Sequence, residues 1–535
     1  MHNAIARHPG VLIAAAQAAW ERGAYDRCLA ILDVAPPMVG PPATEALLIR
    51  GSALIRLRRY SEASAVLTVD PSTLPLADAS RVRLLLAKLY ANSSRPHDAL
   101  CLTDEVESAL GHRNVSAFEA ELAYVRAGAF RIIDESEEAE RQAVRAQSIG
   151  DGRWSVLAIG IRGYLRIRMT AHAQAYEFFR QALAAYALGT MRDDYWEALM
   201  LTHIAGCECQ LRSTAIPATY ASRSTTRLDF TSSEPMRRVG ASIFNMDAWS
   251  AALDGNRAAA FRLGRRATLL APTPLIELKN LVHCALVAKL LGNLDVAADL
   301  AGDALTRARR TDWSTNTSQS AIAILLAEYF ADVDPATARE LLRYYDISLQ
   351  TISLSDTTLN DHHDEAHRAL IGGIIHRTEG QLARAHHAFT RAQAIYEQLG
   401  MRWRAALCLL ELDTVPVPER KFPFPLDDAA RIILADYPHS FLADRLGAWK
   451  GVYDDPIASA LSPVRLHVLR RLLDGASAKG VAEMLGMSIG NVRNRIAELQ
   501  AAFDVTSMQA LLIAVRNRGI GAPSWSQASA VCSTA

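Results

Sequence analysis

Apolar residues recur every three to four positions along most of this chain, and the recurrent runs come in pairs. Residues 11–34, VLIAAAQAAWERGAYDRCLAILDV, hold one run, the turn residues Gly23-Ala24-Tyr25, and a second run from Asp26. Such spacing keeps one face of an α-helix apolar, so the segment predicts a helical hairpin. The figure returns. Residues 43–57 lead into Arg59-Tyr60-Ser61-Glu62-Ala63, and 81–91 lead into Arg95-Pro96-His97-Asp98-Ala99-Leu100. Tyr25 to Tyr60 is 35 residues, Tyr60 to His97 is 37, and Asn256 to Asn293 is again 37. Looser pairs are predicted at 117–133 with 137–148, at 155–169 with 171–186, and at 195–211 with a weaker helix near 215–223. A recurring period of this size predicts stacked helix pairs, an α-solenoid with a concave groove, rather than one bundle.

The clearest units follow. Residues 249–253 run into Gly255-Asn256-Arg257-Ala258-Ala259-Ala260-Phe261. Residues 282–291 run into Gly292-Asn293-Leu294-Asp295-Val296-Ala297-Ala298, and 369–378 into Gly380-Gln381-Leu382-Ala383-Arg384-Ala385, with Phe389 and Ala392 beyond. The glycine makes the turn, and the small alanine lets the two helices approach. This Gly-x-x-x-x-Ala figure with downstream Phe and Ala resembles the tetratricopeptide repeat. In helical-pair repeats the first helix of each pair usually lines the groove. Tyr124, Tyr164, Arg166, Asn245 and Arg368 lie on such helices. The four prolines of 415–425 break the pattern and predict an extended stretch. Two helices after it, about 426–437 and 440–453, are placed to cap the last apolar face.

A different texture begins at Leu461. Ser462, Ser477, Ser488 and Ser507 each precede an apolar-periodic run, so each reads as a helix N-cap. Four helices are predicted, at about 463–473, 478–485, 489–503 and 508–518. Gly475 breaks the first, and Gly486 makes the tight turn between the second and third. A short helix, a turn and a longer helix form the helix-turn-helix pattern. The third helix carries Asn491, Arg493, Asn494 and Arg495 near its N-terminal end. Residues 461–520 hold eight Lys or Arg against four Asp or Glu, whereas the whole chain has 57 of each sign. Positive charge placed on a small helical unit suits binding to phosphates.

The stretch resembles the LuxR/FixJ-type (GerE-like) DNA-binding domain of bacterial regulators. The matching residues are Leu461-Ser462-Pro463, Val468-Leu469, Leu472-Leu473, Gly475, Ser477, Lys479, Val481-Ala482, Leu485-Gly486, Met487-Ser488, Val492-Arg493, Val505 and Ser507. The resemblance implies base reading by Arg493 and Asn494, phosphate contacts from Lys479, Ser488 and Asn491, and dimerisation through the fourth helix. Arg can fork onto guanine and Asn can pair with adenine, and Arg495 joins the candidate DNA-binding set on that ground. The sequence departs from the family at 491–495, where Thr-Val-Lys-x-His is usual, in its first helix, which is not acidic, and at Gly480, where Glu is usual. These differences bear on the target sequence and leave the fold.

Composition narrows the rest. Half of the 535 residues are hydrophobic and 21% are charged. No apolar run reaches the roughly 18 residues of a membrane span. The apolar start at 11–16 continues as an amphipathic helix and is not read as a signal peptide. Seven scattered cysteines suit reduced thiols in a cytoplasm, and the close pair Cys207 and Cys209 reads as helix core. The phosphate-binding G-x-x-x-x-G-K-[ST] is absent, as are a dinucleotide fingerprint and a nucleophile elbow. No cofactor is called for. His363 and His367 stand one helical turn apart beside His362, with His386 and His387 in the partner helix. Two metal ligands have that spacing, but exposed solenoid histidines are commoner, and no metal is assigned.

The expectation is an all-α protein: a tetratricopeptide-like α-solenoid followed by a small four-helix helix-turn-helix domain. The boundaries are 1–414 for the repeat body, 415–453 for the proline break and capping helices, 454–460 for a linker, 461–519 for the DNA-binding domain and 520–535 for a disordered tail. The expected function is a cytoplasmic, non-enzymatic transcriptional regulator that binds double-stranded DNA; homodimerisation would set two recognition helices about one DNA turn apart and predicts a roughly palindromic site. Its body would bind a peptide, protein or small-molecule signal and would occlude or pair the DNA-binding domain. The competing reading is an interaction scaffold whose C-terminal bundle contacts protein.

Overall fold

The computed structural model describes residues 8–93, 95–114, 118–150, 152–212, 227–310, 317–352, 361–415, 425–446, 455–473, 475–485 and 487–518. Helices and turns make up this structure, with no strand among the described residues. The helix predicted near 215–223, residues 416–424 of the stretch predicted to be extended, residues 447–453 of the second predicted capping helix, Gly486 and the tail fall outside them.

The helices are hairpins stacked in chain order. They are α1 Pro9–Glu21 with α2 Tyr25–Asp33, α3 Pro41–Arg56 with α4 Tyr60–Leu67, and α5 Leu76–Asn92 with α6 Pro96–Asn114. Next come α7 Glu119–Ile132 with α8 Ser136–Ile149, and α9 Gly152–Arg168 with α10 His172–Leu188. Helix α11, Asp194–Leu211, packs on α12, Glu234–Leu253, which pairs with α13, Arg257–Leu270. Then follow α14 Pro274–Leu290 with α15 Leu294–Ala308, α16 Thr317–Phe330 with α17 Pro335–Ile352, and α18 Asp361–Thr378 with α19 Leu382–Gln398. Helix α20, Arg402–Asp413, is followed by the shorter α21, Pro425–Asp436, and α22, Phe441–Leu446.

One turn geometry joins most hairpins. Gly23, Gly255, Gly292 and Gly380 take positive φ of 72° to 82°. Arg58, Asp134 and Thr170 occupy the same place with φ of 57° to 67°, although side chains disfavour that region. The turn closes the helix end. Gly255 N–H donates to the Ala252 carbonyl (3.1 Å), and Asn256 N–H to that of Ala251 (2.8 Å). Five residues after each positive-φ position stands Cys28, Ala63, Ala139, Ala175, Ala260, Ala297 or Ala385, each at most 1% exposed. The predicted glycine-to-alanine register is therefore a property of the turn and persists where the glycine is absent.

Small residues on one helix of a pair also receive large ones from the other. A Cβ on Gly51, Gly163 or Gly373 would lie 2.6, 2.5 or 2.5 Å from Leu67, Phe179 or Phe389. Each large residue stands 16 positions after its glycine. Phe179 and Phe389 are fully buried.

The stack curls back on itself at α20. Trp403 Nε1 donates to the Cys209 carbonyl at 3.1 Å across 194 residues, and its ring lies 5.8 Å from that of Trp249. Tyr437, after α21, donates its hydroxyl to the Arg212 carbonyl. Every residue of α20 from Trp403 to Asp413 is buried, so its charges need buried partners. Arg404 donates to Glu328 of α16 (2.7 Å), whose other oxygen meets His367 Nε2 of α18 (2.7 Å). Burial alone would raise the Glu328 carboxyl, but the Arg404 charge and the His367 ring outweigh it and hold it below its usual range. Glu411 accepts from Arg377 (2.5 Å) and Arg445 (2.6 Å).

The last helices pack on this end. They are α23 Pro456–Ser459, α24 Pro463–Leu473, α25 Ala478–Leu485, α26 Ile489–Ala502 and α27 Met508–Asn517. Leu469, Val481, Val492, Leu499, Leu511 and Val515 are fully buried, in one apolar core continuous with that of the last repeats. Within 454–460, read as a linker, Asp455 caps α23 by accepting from Ile457 and Ala458 N–H, and Ala458 is fully buried. No described helix is long and apolar enough to cross a membrane.

Two predictions follow from the packing. Gly163→Ala places a methyl against Phe179 and is expected to destabilise by about 1–3 kcal/mol. A denaturant midpoint no lower than that of the parent would contradict it, and Phe179→Leu in the same chain should recover part of the loss. Asp247, 6% exposed, has an Oδ2 without a hydrogen-bond partner among the described residues, and burial pushes its carboxyl up to about 7. The folded state therefore holds a proton that the unfolded state has released between about pH 4 and pH 7, so Asp247 makes stability fall as pH rises through that window. Asp247→Asn should flatten this fall and be the more stable protein at pH 8. Denaturation of both proteins at pH 5 and pH 8 checks the difference.

Candidate functional site

Helix α26 is set up by its cap. Ser488 Oγ accepts from Asn491 N–H (3.2 Å), just as Ser477 Oγ accepts from Gly480 N–H and Ser507 Oγ from Ala510 N–H (3.1 Å each). Val492, Ile496 and Leu499 face the core. The intervening polar positions Asn491, Arg493 and Asn494 are exposed, as are Ser488 at the helix start and Lys479 on α25. The structure thus brings five of the six candidate residues onto open surface of α25 and α26.

Arg495 behaves differently. It is half-buried and donates to both oxygens of Glu498, at 3.0 and 2.8 Å. Glu498 also accepts from Arg465 of α24 (2.7 Å). The hydrogen bonds from Arg495, then Arg465, hold the Glu498 carboxyl below its usual range. Arg495 is thereby engaged in tying α26 to α24, an i to i+3 pairing that the sequence made available and the reading of Arg495 as a base contact overlooked.

The local positive surplus is likewise largely answered inside the protein. Arg470 donates to the Asp413 carboxylate, Arg471 to the Asp413 carbonyl (2.7 Å), and His467 Nδ1 lies 3.7 Å from Asp413 Oδ1. Asp413 is fully buried at the end of α20. Arg518 pairs with Asp455 (3.0 Å) and Lys479 stands 3.9 Å from Glu483. Among the described residues, Arg493 and Arg516 make no ion pair. The body therefore grips the C-terminal helices by α24 and leaves the polar face of α26 open.

The remaining sequence candidates scatter. Tyr124 and Tyr164 line a cavity on the inner face of the first repeats. Arg166 pairs with Glu140 (3.1 Å), Asn245 donates to Asn280 (3.2 Å) in the interior, and Arg368 pairs with Asp346 (2.6 Å). Of the histidines, His367 is buried against Glu328, His363 is half-buried beside it, and His387 is exposed. No group of three or more metal-ligating side chains occurs among the described residues. Cys207 and Cys209 are buried, and burial pushes both thiols up to about 12.

No family model and no curated protein matches the chain. Among solved structures it is similar to a chain of the APC/C hetero-tetramer Cut9-Hcn1, with 12% identity, a TM-score of 0.37, and coverage of 87% of this chain and 86% of that one.

Removing one partner from a buried ionic cluster leaves the other charges uncompensated, at about 3–5 kcal/mol. Asp413→Ala is therefore expected to loosen α24 from α20 and speed amide hydrogen exchange in 463–473. Unchanged exchange there would show that the apolar contacts alone hold the junction.

Proposed function

We propose that this protein is a non-enzymatic helical-repeat scaffold whose C-terminal helices form a LuxR/FixJ-type helix-turn-helix unit, so that the whole acts as a cytoplasmic DNA-binding transcriptional regulator. The observation that carries the DNA-binding part is the open polar face of α26, with Asn491, Arg493 and Asn494 exposed on a capped helix whose opposite face is core. The tetratricopeptide-like reading of the body rests on the recurrent positive-φ turn followed five residues later by a buried small residue.

In this reading the N-terminal half of α26 enters the major groove. Arg493 forks onto a guanine edge and Asn494 pairs with adenine. Ser488, Asn491 and Lys479 hold phosphates and set the register. Arg495 acts through Glu498 to orient the helix. Ile513, 52% exposed on α27, lies on the helix through which two copies would pair. The body binds a peptide, protein or small molecule on its inner face, and its hold on α24 sets how the DNA-binding unit is presented.

A second reading has one observation in its favour. Helix α24 already makes a protein contact, at Asp413, and much of the local positive charge is used there. In that case α24–α27 would serve protein binding alone.

Fluorescence anisotropy on fragmented genomic DNA across a salt series separates the two. Binding that weakens steeply with salt is expected. Arg493→Ala should cost about 1–3 kcal/mol of affinity for the selected sequence without loss of helix content. Arg495→Ala should act mainly by lowering stability. Failure of both the parent chain and Asp413→Ala to bind DNA would leave the scaffold reading.

A further inference from the structure

The inner face of the first repeats holds a cavity of about 320 Å³. All its lining residues come from the first helices of successive units, α3, α5, α7, α9 and α11. Its charged lining groups are cations only: Arg56, Lys88 and Arg131, one from each of α3, α5 and α7. The carboxylate partners of Arg56 and Lys88 stand outside the lining. Arg56 pairs with Asp193 (2.8 Å) and Lys88 with Glu121 (2.6 Å).

Aromatic rings flank these cations, and Tyr124, Tyr164 and Tyr195 among them line the cavity. The Arg56 guanidinium lies 4.7 Å from the Tyr195 ring centroid, and Arg131 5.7 Å from that of Tyr164. Lys88 Nζ lies 4.4 Å from the ring of Trp154 and 5.8 Å from that of Tyr124. The Tyr164 hydroxyl meets His203 Nε2 at 2.7 Å, and burial lowers that imidazole to about 4, so it adds no charge near neutral pH. Burial also pushes the Lys88 ammonium down against the pull of Glu121, which marks a partly dry site where an incoming charge is weakly screened.

The space itself is maintained at some expense. Gly128 stands within α7, where glycine costs about 1 kcal/mol relative to alanine. A Cβ built there meets nothing within 4 Å, so helix packing does not require a glycine. Gly128 lines the cavity, and a larger side chain would extend into it.

We infer that this cavity binds a small organic anion with a flat aromatic body, its charge met by Lys88 and Arg131 and its ring by the tyrosines. The size lies at the lower end of small-ligand pockets, about 300–1,000 Å³, which excludes a folded partner and leaves room for a compact molecule. The inference rests on the reading of the body as a ligand-binding scaffold and names the ligand class for it.

The test uses the full chain and calorimetric titration with 1-naphthoate beside its neutral counterpart, 1-naphthamide. Naphthoate should bind saturably with one site per chain, roughly tenfold more tightly than the amide, a difference of about 1.4 kcal/mol. Gly128→Leu should abolish binding by filling the space while leaving thermal stability equal or higher. Lys88→Gln should reduce the preference for the anion. Equal affinity for acid and amide, binding that survives Gly128→Leu, or no saturable binding at millimolar concentration would each overturn the assignment. The DNA and docking measurements above do not involve this cavity, so failure here removes the ligand class alone, and failure there with saturable naphthoate binding removes the DNA-binding reading alone.

Discussion

A helix buried on every side cannot carry unanswered charge, and α20 carries three charged side chains in its buried stretch. Arg404, Glu411 and Asp413 are all buried. An ion left alone in such a place costs several kcal/mol, so each must be met by a partner brought from elsewhere. The partners come from α16, α18, α22 and α24: Glu328, Arg377, Arg445, Arg470 and Arg471. Trp403 adds α11 through its indole N–H. Repeats, capping helices and C-terminal helices are therefore registered against one element.

The same construction gives the two halves of the inner face opposite characters. Towards the C-terminal end Trp249 donates to His283, and Glu328 joins His367 and Arg404 in a buried cluster. Towards the N-terminal end, α3, α5, α7, α9 and α11 converge with glycine at 128 and 160, and the space stays open. Helix α11 belongs to both. It contributes Tyr195 and Trp196 to the cavity near its start, and the Cys209 carbonyl to Trp403 near its end. The open cavity and the seat of α20 thus share a rigid element.

Much of this was legible in order of residue type. The seven hairpin turns, the small residue five positions on, and the C-terminal helix limits follow from local chemistry: glycine or a tolerant residue at positive φ, serine at the N-cap, apolar spacing along one face. Helices α16, α17 and α20 were missed. Neither α16 nor α17 is announced by the Gly-x-x-x-x-Ala figure that marks the clearer units; α20 carries it at Gly400 and Ala405, with Gly400 at φ 72°, but α20 has no polar face, so its apolar residues show no helical alternation. The exposure of Asn491, Arg493 and Asn494 follows from the apolar spacing of α26, but the engagement of Arg495 does not, because Glu498 is shared with Arg465, which arrives from another helix.

What the sequence by itself determined is the local conformation: which segments are helical, where they stop and which face of each is apolar. These depend on interactions within about five residues. Only the tertiary structure decided where charge ends up. It placed Asp413 under Arg470 and Arg471, turned a positively charged unit into one with few free cations, and gathered Arg56, Lys88 and Arg131 around an open space. The reason is physical: hydrogen-bonded helices form from neighbours in the chain, whereas the electrostatic surroundings of a side chain are set by groups far away in sequence and close in space.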